Sequence, residues 1–139
     1  MPFSRPAFLA KRRRNKYGAV ASHDMATGRS YDSLGERLRF AELQILERGG
    51  VISGLEFKPA PVVLDAAAGI KWRVDYRYVE DGRTVYEDYK PRPMTPRECM
   101  LLKMWQAHGP ALLLITGMKR GRGHVIRSVM PNMKDAIQS

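Results

Sequence analysis

Residues 70–90 constrain the fold more than any other stretch, because their pattern predicts two strands joined by a tight turn. In the first half, large apolar residues alternate with charged ones, which is typical of a strand with one buried face. The apolar residues of this alternation, which we expect on one face, are Ile70, Trp72, Val74, Tyr76 and Tyr78. Asp81 and Gly82 then suit a type I′ turn, whose two central residues both need positive φ. A two-residue turn here pairs Glu80 with Arg83 and fixes the register of the hairpin.

This register places like charges directly opposite each other on the polar face of the hairpin. Asp75 falls opposite Asp88, and Arg73 falls opposite Lys90. Carboxylates at paired positions repel each other and resist joint ionisation unless a cation lies between them. Mg²⁺ would remove that conflict, because hard cations prefer one or two carboxylates together with water and phosphate oxygens. The alternative is a solvent-facing strand on which Arg73, Arg77 and Lys90 neutralise the two aspartates.

The distribution of charge is the second constraint. The chain of 139 residues has a formal net charge of +10, yet the charges of residues 17–116 cancel, so the excess lies at the two ends. Basic ends on a neutral body predict a polyanionic partner such as nucleic acid. The alternative is a solvated basic arm without a ligand. The candidate nucleic-acid-binding residues are Lys11, Arg12, Arg13, Arg14, Lys16, Arg73, Lys119, Arg120 and Arg122.

Composition argues against several other classes of protein. Hydrophobic residues make up 44% of the chain, which suits one globular domain with a core. No apolar run approaches the ~20 residues of a membrane span and no secretory signal pattern is present, so we expect no membrane partner and a cytoplasmic location. Cys99 stands alone, which excludes a disulfide framework, and His23, His108 and His124 lack zinc-ligand spacing. We also expect no organic cofactor.

The sequence predicts two helices. The first begins at Asp32 or Ser33 and ends near Gly49, because Ser33 and Glu36 fit a capping box and glycine suits the residue after a helix. Its apolar residues fall in two stripes, so we expect burial on two sides. The stripes consist of Leu34, Leu38, Ala41 and Ile45, and of Phe40, Leu43 and Leu46. Another capping box starts the second helix at Thr95.

Short strands surround these helices. Apolar and β-branched stretches predict strands, in addition to the hairpin, at residues 51–57, 62–65, 111–116 and 124–129. The stretch 111–116 is apolar throughout, which predicts a buried strand in a central position of the sheet. The glycine-spaced basic stretch 117–123 predicts a loop. Because helices separate the strands, some pairing must be parallel, and the order predicts an α/β fold with a mixed central sheet flanked by helices.

The spacing from Asp75 to Asp88-Tyr89-Lys90 resembles the signature of the PD-(D/E)XK nuclease superfamily. More closely, the chain resembles a family of short phage-encoded proteins related to Holliday-junction resolvases and endonucleases. The segments that carry this resemblance are KYGA (16–19), YDSLGERLRFAELQILERGGVISGLEFKP (31–59), VDYRY (74–78) and VYEDYKPRPMTP (85–96). It implies a single nuclease-like domain at residues 17–130, between a basic, flexible arm at 1–16 and a tail at 131–139.

The resemblance implies a restriction-endonuclease-like αβββαβ core and a Mg²⁺-dependent enzyme that hydrolyses phosphodiester bonds in DNA. Asp75 and Asp88 would hold Mg²⁺, or Mn²⁺ in its place, and Glu36 would complete the cluster instead of capping its helix. Lys90, on the same face, would orient the attacking water and stabilise developing negative charge. Glu87 faces the other side in the predicted register and is a reserve ligand.

Branched DNA as the substrate, a role in DNA recombination, a homodimer and action in the cytoplasm of a bacterial host of the phage are further implications of the resemblance. The chain departs from the pattern at two positions: Val74 stands where proline precedes the first aspartate, and Pro91 follows the lysine where glycine is usual. One alternative function is a non-catalytic nucleic-acid-binding or adaptor protein on a nuclease fold. Another is a nickase or recombination nuclease with a different DNA substrate.

Overall fold

The computed structural model describes residues 22–24, 29–31 and 34–132, with side chains described from residue 34 onward. The predicted start of the first helix, at Asp32 or Ser33, lies outside the described residues, and so do the tail residues 133–139. The same holds for the basic arm, which includes the candidate nucleic-acid-binding residues Lys11, Arg12, Arg13, Arg14 and Lys16.

Within the described residues the chain forms two helices and nine strands. The helices are α1 (Leu34–Arg48) and α2 (Pro96–His108). The strands are β1 (Ser22–Asp24), β2 (Arg29–Tyr31), β3 (Ser53–Phe57), β4 (Val62–Asp65), β5 (Ile70–Trp72), β6 (Tyr76–Glu80), β7 (Arg83–Tyr89), β8 (Leu112–Lys119) and β9 (Arg122–Val129).

Five strands form the central sheet in the order β3-β6-β7-β8-β9. β7 and β8 pair in parallel, because α2 connects them as a crossover, and the other neighbouring pairs are antiparallel. The fold is therefore α/β with a mixed sheet, as predicted. β8 lies inside the sheet, where Leu113 and Ile115 are fully buried. Two small antiparallel ribbons, β1–β2 and β4–β5, stand apart from this sheet.

The sheet separates two hydrophobic clusters. On one face, Phe40 and Leu43 of α1 pack with Tyr76 of β6. On the other face, Trp105 of α2 packs with residues of the β4–β5 ribbon and of β8, including Leu113. Successive side chains of β7 point into different clusters, because strand side chains alternate between faces.

The second helix begins at the predicted capping box. Thr95 Oγ1 accepts a hydrogen bond from the Glu98 N–H at 3.2 Å, and the Glu98 side chain accepts one from the Thr95 N–H at 2.8 Å. Pro96 follows the cap at the position where a missing N–H costs no helical bond. No helix in the described part of the chain is long and apolar enough to cross a membrane.

The predicted turn and register of the hairpin are confirmed for β6 and β7. Asp81 and Gly82 both have positive φ, at 52° and 74°. Glu80 pairs with Arg83, and the ladder continues in that register as far as Tyr76 and Glu87. The turn geometry therefore decides which residues of β7 lie beside β6.

The prediction that the first half of the hairpin is one continuous strand is wrong. β5 pairs with β4 in a separate ribbon, and the ladder with β7 starts only at Tyr76. Trp72 and Val74 accordingly lie in the α2 cluster, whereas Tyr76 and Tyr78 lie in the α1 cluster. The alternation of apolar residues continues through the break because both ribbon and sheet bury one face, so the sequence gives no sign of the change.

Two further predictions are corrected by the structure. α1 is buried mainly along the stripe that contains Phe40 and Leu43, while Leu34, Leu38 and Ile45 are exposed by 45–60%. The basic stretch 117–123 is not a loop but the tip of the β8–β9 hairpin, with a two-residue turn whose residues both have positive φ. Glycine-rich basic sequence suits such a turn as well as it suits a loop.

The start of α1 sits directly against β7. A Cβ atom added to Gly35 would collide with the hydroxyl and ring of Tyr89, so only glycine permits this approach. Gly49, just beyond the other end of α1, is a natural comparison, because a Cβ there would meet the Ile45 carbonyl oxygen at an ordinary 3.5 Å.

We expect Gly35→Ala to destabilise the protein by about 1–3 kcal/mol, because the new methyl group must push α1 away from Tyr89. Alanine has a higher helix propensity than glycine, so packing and propensity act in opposite directions. The sign of the change in stability therefore shows which of the two is larger. Gly49→Ala should stay within about 0.5 kcal/mol of the parent. Urea unfolding followed by circular dichroism measures both; equal stabilities for the two variants would contradict the close contact.

Candidate functional site

The predicted site residues come together where β7 ends. Asp88 lies near the end of β7, and its side chain points to the face of the sheet that α2 covers. Lys90 directly follows the strand. Asp75 lies in the segment between β5 and β6. Glu36 approaches from the first turn of α1, so the site draws on three separate parts of the chain.

Asp75 completes the sheet with its side chain. Its Oδ2 accepts a hydrogen bond from the Tyr89 N–H at 2.7 Å, where the β6–β7 ladder has already ended at Tyr76 and Glu87. Its backbone carbonyl accepts a bond from the Lys58 N–H at 2.7 Å. The residue is thus fixed at both its backbone and its carboxyl group, which orients the carboxyl beside Asp88.

The carboxyl group of Asp75 is held in an unfavourable electrostatic environment. Burial raises its pKa well above the ordinary value, although the residue keeps some contact with solvent. The negative charges of Asp88 and Glu36 raise the pKa further, and the hydrogen bond from Tyr89 opposes the shift. The predicted repulsion between Asp75 and Asp88 is therefore present, even though the two residues are not paired in a regular ladder.

Asp88 is 3% exposed, and its Oδ2 is buried without a hydrogen bond of good geometry. Lys90 Nζ lies 2.8 Å from this oxygen, so the contact is an ion pair whose angles are not those of a good hydrogen bond. A buried carboxylate oxygen without an aligned donor is costly and is open to a better cationic partner.

Lys90 bridges two carboxylates. Its Nζ lies 2.8 Å from Asp88 Oδ2 and 2.7 Å from Glu98 Oε2, and it is also 5.9 Å from the centre of the Trp72 ring. Burial alone would lower the pKa of Lys90, but the charges of Asp88 and Glu98 outweigh it, and the pKa is raised. Lys90 is therefore an ammonium ion throughout the physiological range.

Sequence reasoning missed the part of Glu98 in this site. The pattern at Thr95 explained Glu98 fully as a capping residue, yet its carboxylate also binds Arg92 through two hydrogen bonds, at 2.6 and 3.0 Å. The hydrogen bond from Arg92 is the main reason that the pKa of Glu98 is lowered, and Lys90 adds to the shift. Glu98 thus ties the start of α2 to Lys90.

Glu36 is 2% exposed and its backbone carbonyl accepts a hydrogen bond from the Tyr76 hydroxyl at 2.6 Å. Its negative charge raises the pKa of both Asp75 and Tyr89, after the larger effect of burial on each. Glu36 is therefore near enough to act on the aspartates electrostatically. Its capping partner Ser33 lies outside the described residues, so its predicted role stays a prediction.

The geometry fits a cation held by two carboxylates better than a preformed three-ligand site. In the part of the chain with described side chains, no three His, Cys, Asp or Glu residues are arranged to hold a metal ion. Asp75 and Asp88, however, supply adjacent carboxylates, and one Asp88 oxygen lacks an aligned donor. Mg²⁺ typically takes only one or two protein carboxylates and keeps water for the remaining positions.

Glu87, the reserve ligand, points to the opposite face of the sheet and is fully buried. Arg39 of α1 binds its carboxylate through two hydrogen bonds, at 2.6 and 2.9 Å. The Tyr78 hydroxyl donates to Oε1 at 2.8 Å and the Thr116 hydroxyl donates to Oε2 at 3.0 Å. These four hydrogen bonds occupy the Glu87 carboxylate and join α1 to the sheet, which argues against Glu87 as a metal ligand.

The described basic candidates occupy the same end of the sheet as the carboxylates. β8 runs three residues beyond Thr116, the partner of Tyr89, and the tip of the β8–β9 hairpin carries Lys119, Arg120 and Arg122. These three residues are exposed. Arg73 is also exposed and lies next to Lys90 around a surface pocket, although the two are not paired across a ladder as predicted.

No family model matches the chain, and no curated protein matches its sequence.

We expect Asp75→Asn to stabilise the metal-free protein at neutral pH. Asparagine keeps an acceptor for the Tyr89 N–H but removes the charge that burial, Asp88 and Glu36 disfavour. Because folding raises the pKa of Asp75, its penalty is absent in acid, grows as the pH rises from the ordinary value toward the raised one, and is constant above that. The gain in Tm should therefore be smallest near pH 4 and reach about 3 °C or more at pH 8, the shift expected for ~1 kcal/mol.

Thermal unfolding in EDTA across this pH range measures the effect. Asp65→Asn is the matched control, because Asp65 also accepts a backbone hydrogen bond, from the Ala68 N–H at 3.2 Å. A loss of stability for Asp75→Asn that is the same at every pH would contradict the proposed repulsion.

Proposed function

We propose that this protein is a metal-dependent DNA endonuclease that hydrolyses phosphodiester bonds. The observation that carries the proposal is the group at the end of β7: two adjacent aspartates, of which one is buried without an aligned donor, beside an ammonium ion held at 2.8 Å. Paired carboxylates for a divalent cation and a neighbouring cation for the phosphate are the elements that such a hydrolysis requires.

The topology supports a restriction-endonuclease-like core. α1, β3, the β6–β7 hairpin, α2 and β8 follow one another in the order of an αβββαβ unit, and β8 returns parallel to β7. The β4–β5 ribbon is an insertion between β3 and β6 in this reading. Membership of the PD-(D/E)XK superfamily is part of the proposal and rests on this order together with the motif.

In this proposal Asp75 and Asp88 hold Mg²⁺, or Mn²⁺, and Glu36 adds negative charge behind them. When bound, the cation supplies Lewis acidity toward the scissile phosphate and toward the attacking water. Asp75 keeps its orientation through the Tyr89 N–H, and Asp88 is fixed by the β7–β8 ladder. The protein thus orients the two carboxylates before a substrate arrives.

Lys90 stabilises negative charge that develops on the phosphate. Its raised pKa makes it a poor base, so a role in removing a proton from water is less suitable than charge stabilisation. Glu98 and Arg92 hold it in place from the side of α2. A preorganised ammonium group of this kind contributes to the rate rather than to binding.

The substrate and the assembly are drawn from the resemblance. Branched DNA, a recombination role and a homodimer belong to the proposal on that basis, and the exposed cations of the β8–β9 turn suit a phosphate backbone of any sequence. A non-catalytic DNA-binding protein is the alternative, because Lys90 already pairs with Asp88 and could neutralise it permanently.

We expect Asp88→Asn to abolish Mg²⁺-dependent cleavage, because it removes the carboxylate that has an oxygen free of aligned donors. The assay is incubation of purified protein with labelled duplex, single-stranded, flap and four-way DNA. Affinity for the same DNA in Ca²⁺ should remain within about threefold of the parent. Parent-like cleavage by Asp88→Asn would remove the proposed site, and absence of cleavage by the parent on every substrate would favour the non-catalytic alternative.

We expect Lys90→Ala to lower the single-turnover cleavage rate about 10²–10³-fold at saturating protein, the usual scale for the loss of one preorganised charge stabiliser. Affinity should change little, because many cations share that task. Lys103→Ala, which removes an exposed lysine of α2, is the matched control and should cleave normally. A normal rate combined with weaker binding would reduce Lys90 to a phosphate anchor, and circular dichroism of both variants excludes an effect of unfolding.

A further inference from the structure

A basic pocket of about 370 Å³ lies beside the carboxylate site, between the β4–β5 ribbon and the first turns of α2. Its cationic lining residues come from three parts of the chain and comprise Lys71, Arg73, Lys90 and Arg97. Trp72, which is 5% exposed, forms part of the wall, and its ring is fixed edge-on against Trp105 at 6.0 Å.

Three of the four cations have no counter-charge among the described side chains. Lys71, Arg73 and Arg97 are exposed and make no hydrogen bond or ion pair with the described side chains. The acid in the wall, Glu98, is already bound to Arg92 and Lys90. Like charges gathered around one concavity raise its positive potential and concentrate anions there.

We propose that this pocket binds a backbone phosphate of the nucleic acid, next to the phosphate that is cleaved. The binding of a backbone phosphate is inferred from the pocket alone. Its position next to the cleaved phosphate rests on the proposed function. Lys90 connects the two places, because it lines the pocket and also contacts Asp88. A strand whose phosphate occupies the pocket would therefore continue past Lys90 toward the two aspartates.

The character of the pocket favours a nucleic-acid strand over a free phosphate ion. The three cations without a counter-charge among the described side chains are long and exposed, and they line the pocket from two separate parts of the chain. Such side chains follow a polyanion and gain affinity from the release of condensed counterions. A nucleic-acid strand and a free phosphate ion both present phosphate oxygens to the pocket, so the experiment must distinguish between them.

The test compares two triple variants that remove the same charges. Lys71→Gln, Arg73→Gln and Arg97→Gln together remove the three exposed cations that line the pocket. Arg48→Gln, Arg83→Gln and Lys103→Gln remove two arginines and one lysine from exposed positions that do not line this pocket. Affinity for a labelled duplex is measured in EDTA at several NaCl concentrations, so that no cleavage occurs.

We expect the pocket variant to bind at least about tenfold more weakly at 0.1 M salt and to lose about 1–3 from the log–log salt slope, since each duplex phosphate contact contributes ~0.9. The control variant should lose less than half as much on both measures. Equal losses for the two variants would overturn the proposal, because the pocket would then act only through net charge.

Inorganic phosphate, added as a competitor at constant ionic strength, separates the two sources of phosphate. A strand subsite predicts no displacement of DNA by about 5 mM phosphate, whereas displacement from the parent but not from the pocket variant would identify a small-anion site and overturn the assignment to a strand. These measurements contain no divalent ion. Their failure therefore leaves the cleavage results untouched, and a failure of cleavage by the parent leaves the binding result standing.

Discussion

The burial of Glu87 at the centre of the sheet determines how α1 is placed. A fully buried carboxylate is tolerated only when charge and hydrogen bonds compensate it, and here Arg39, Tyr78 and Thr116 supply four donor contacts at 2.6–3.0 Å. Burial alone would lower the pKa of Arg39, yet its hydrogen bonds to Glu87 and the charge of Glu87 raise it. Loss of one member of such a pair costs ~3–5 kcal/mol. The bidentate contact therefore fixes the angle at which α1 crosses the sheet, and with it the position of Glu36.

The next residue of β7 presents the opposite case. Asp88 faces the other side of the sheet and is also buried, but Lys90 is its charged partner and the bond to Oδ2 is poorly aligned. Asp75 adds a second carboxylate with a raised pKa at the same place. The two consecutive buried acids thus differ in their partners. The Glu87 carboxylate is fully compensated within the fold, whereas the Asp88 carboxylate can accept a further cation. That contrast is consistent with a structural part for Glu87 and with the proposed part of Asp88 as a metal ligand.

Much of this arrangement follows from local sequence. The type I′ turn at Asp81 and Gly82 fixes the β6–β7 register, and the capping box at Thr95 fixes the start of α2, because both depend on a few neighbouring residues. The break before Tyr76 could not be predicted, since the period of alternation is the same in a ribbon and in a sheet. The Arg39–Glu87 pair was equally hidden, because it joins residues 48 positions apart. The second role of Glu98 was concealed by a local pattern that already explained it.

Lys90 links the two halves of the proposed site energetically. A single ammonium group has three donors, and Asp88 and Glu98 already engage it at 2.8 and 2.7 Å. A phosphate in the adjoining pocket would compete for the same charge and weaken the contact with Asp88. The Asp88 oxygen would then gain more from a divalent cation than it does in the free protein, because its ion-pair partner Lys90 would be shared. By reciprocity, a cation bound at the aspartates would release Lys90 toward the phosphate. Substrate and metal would therefore strengthen each other's binding through one side chain, and Glu98 would keep that side chain at the boundary between them.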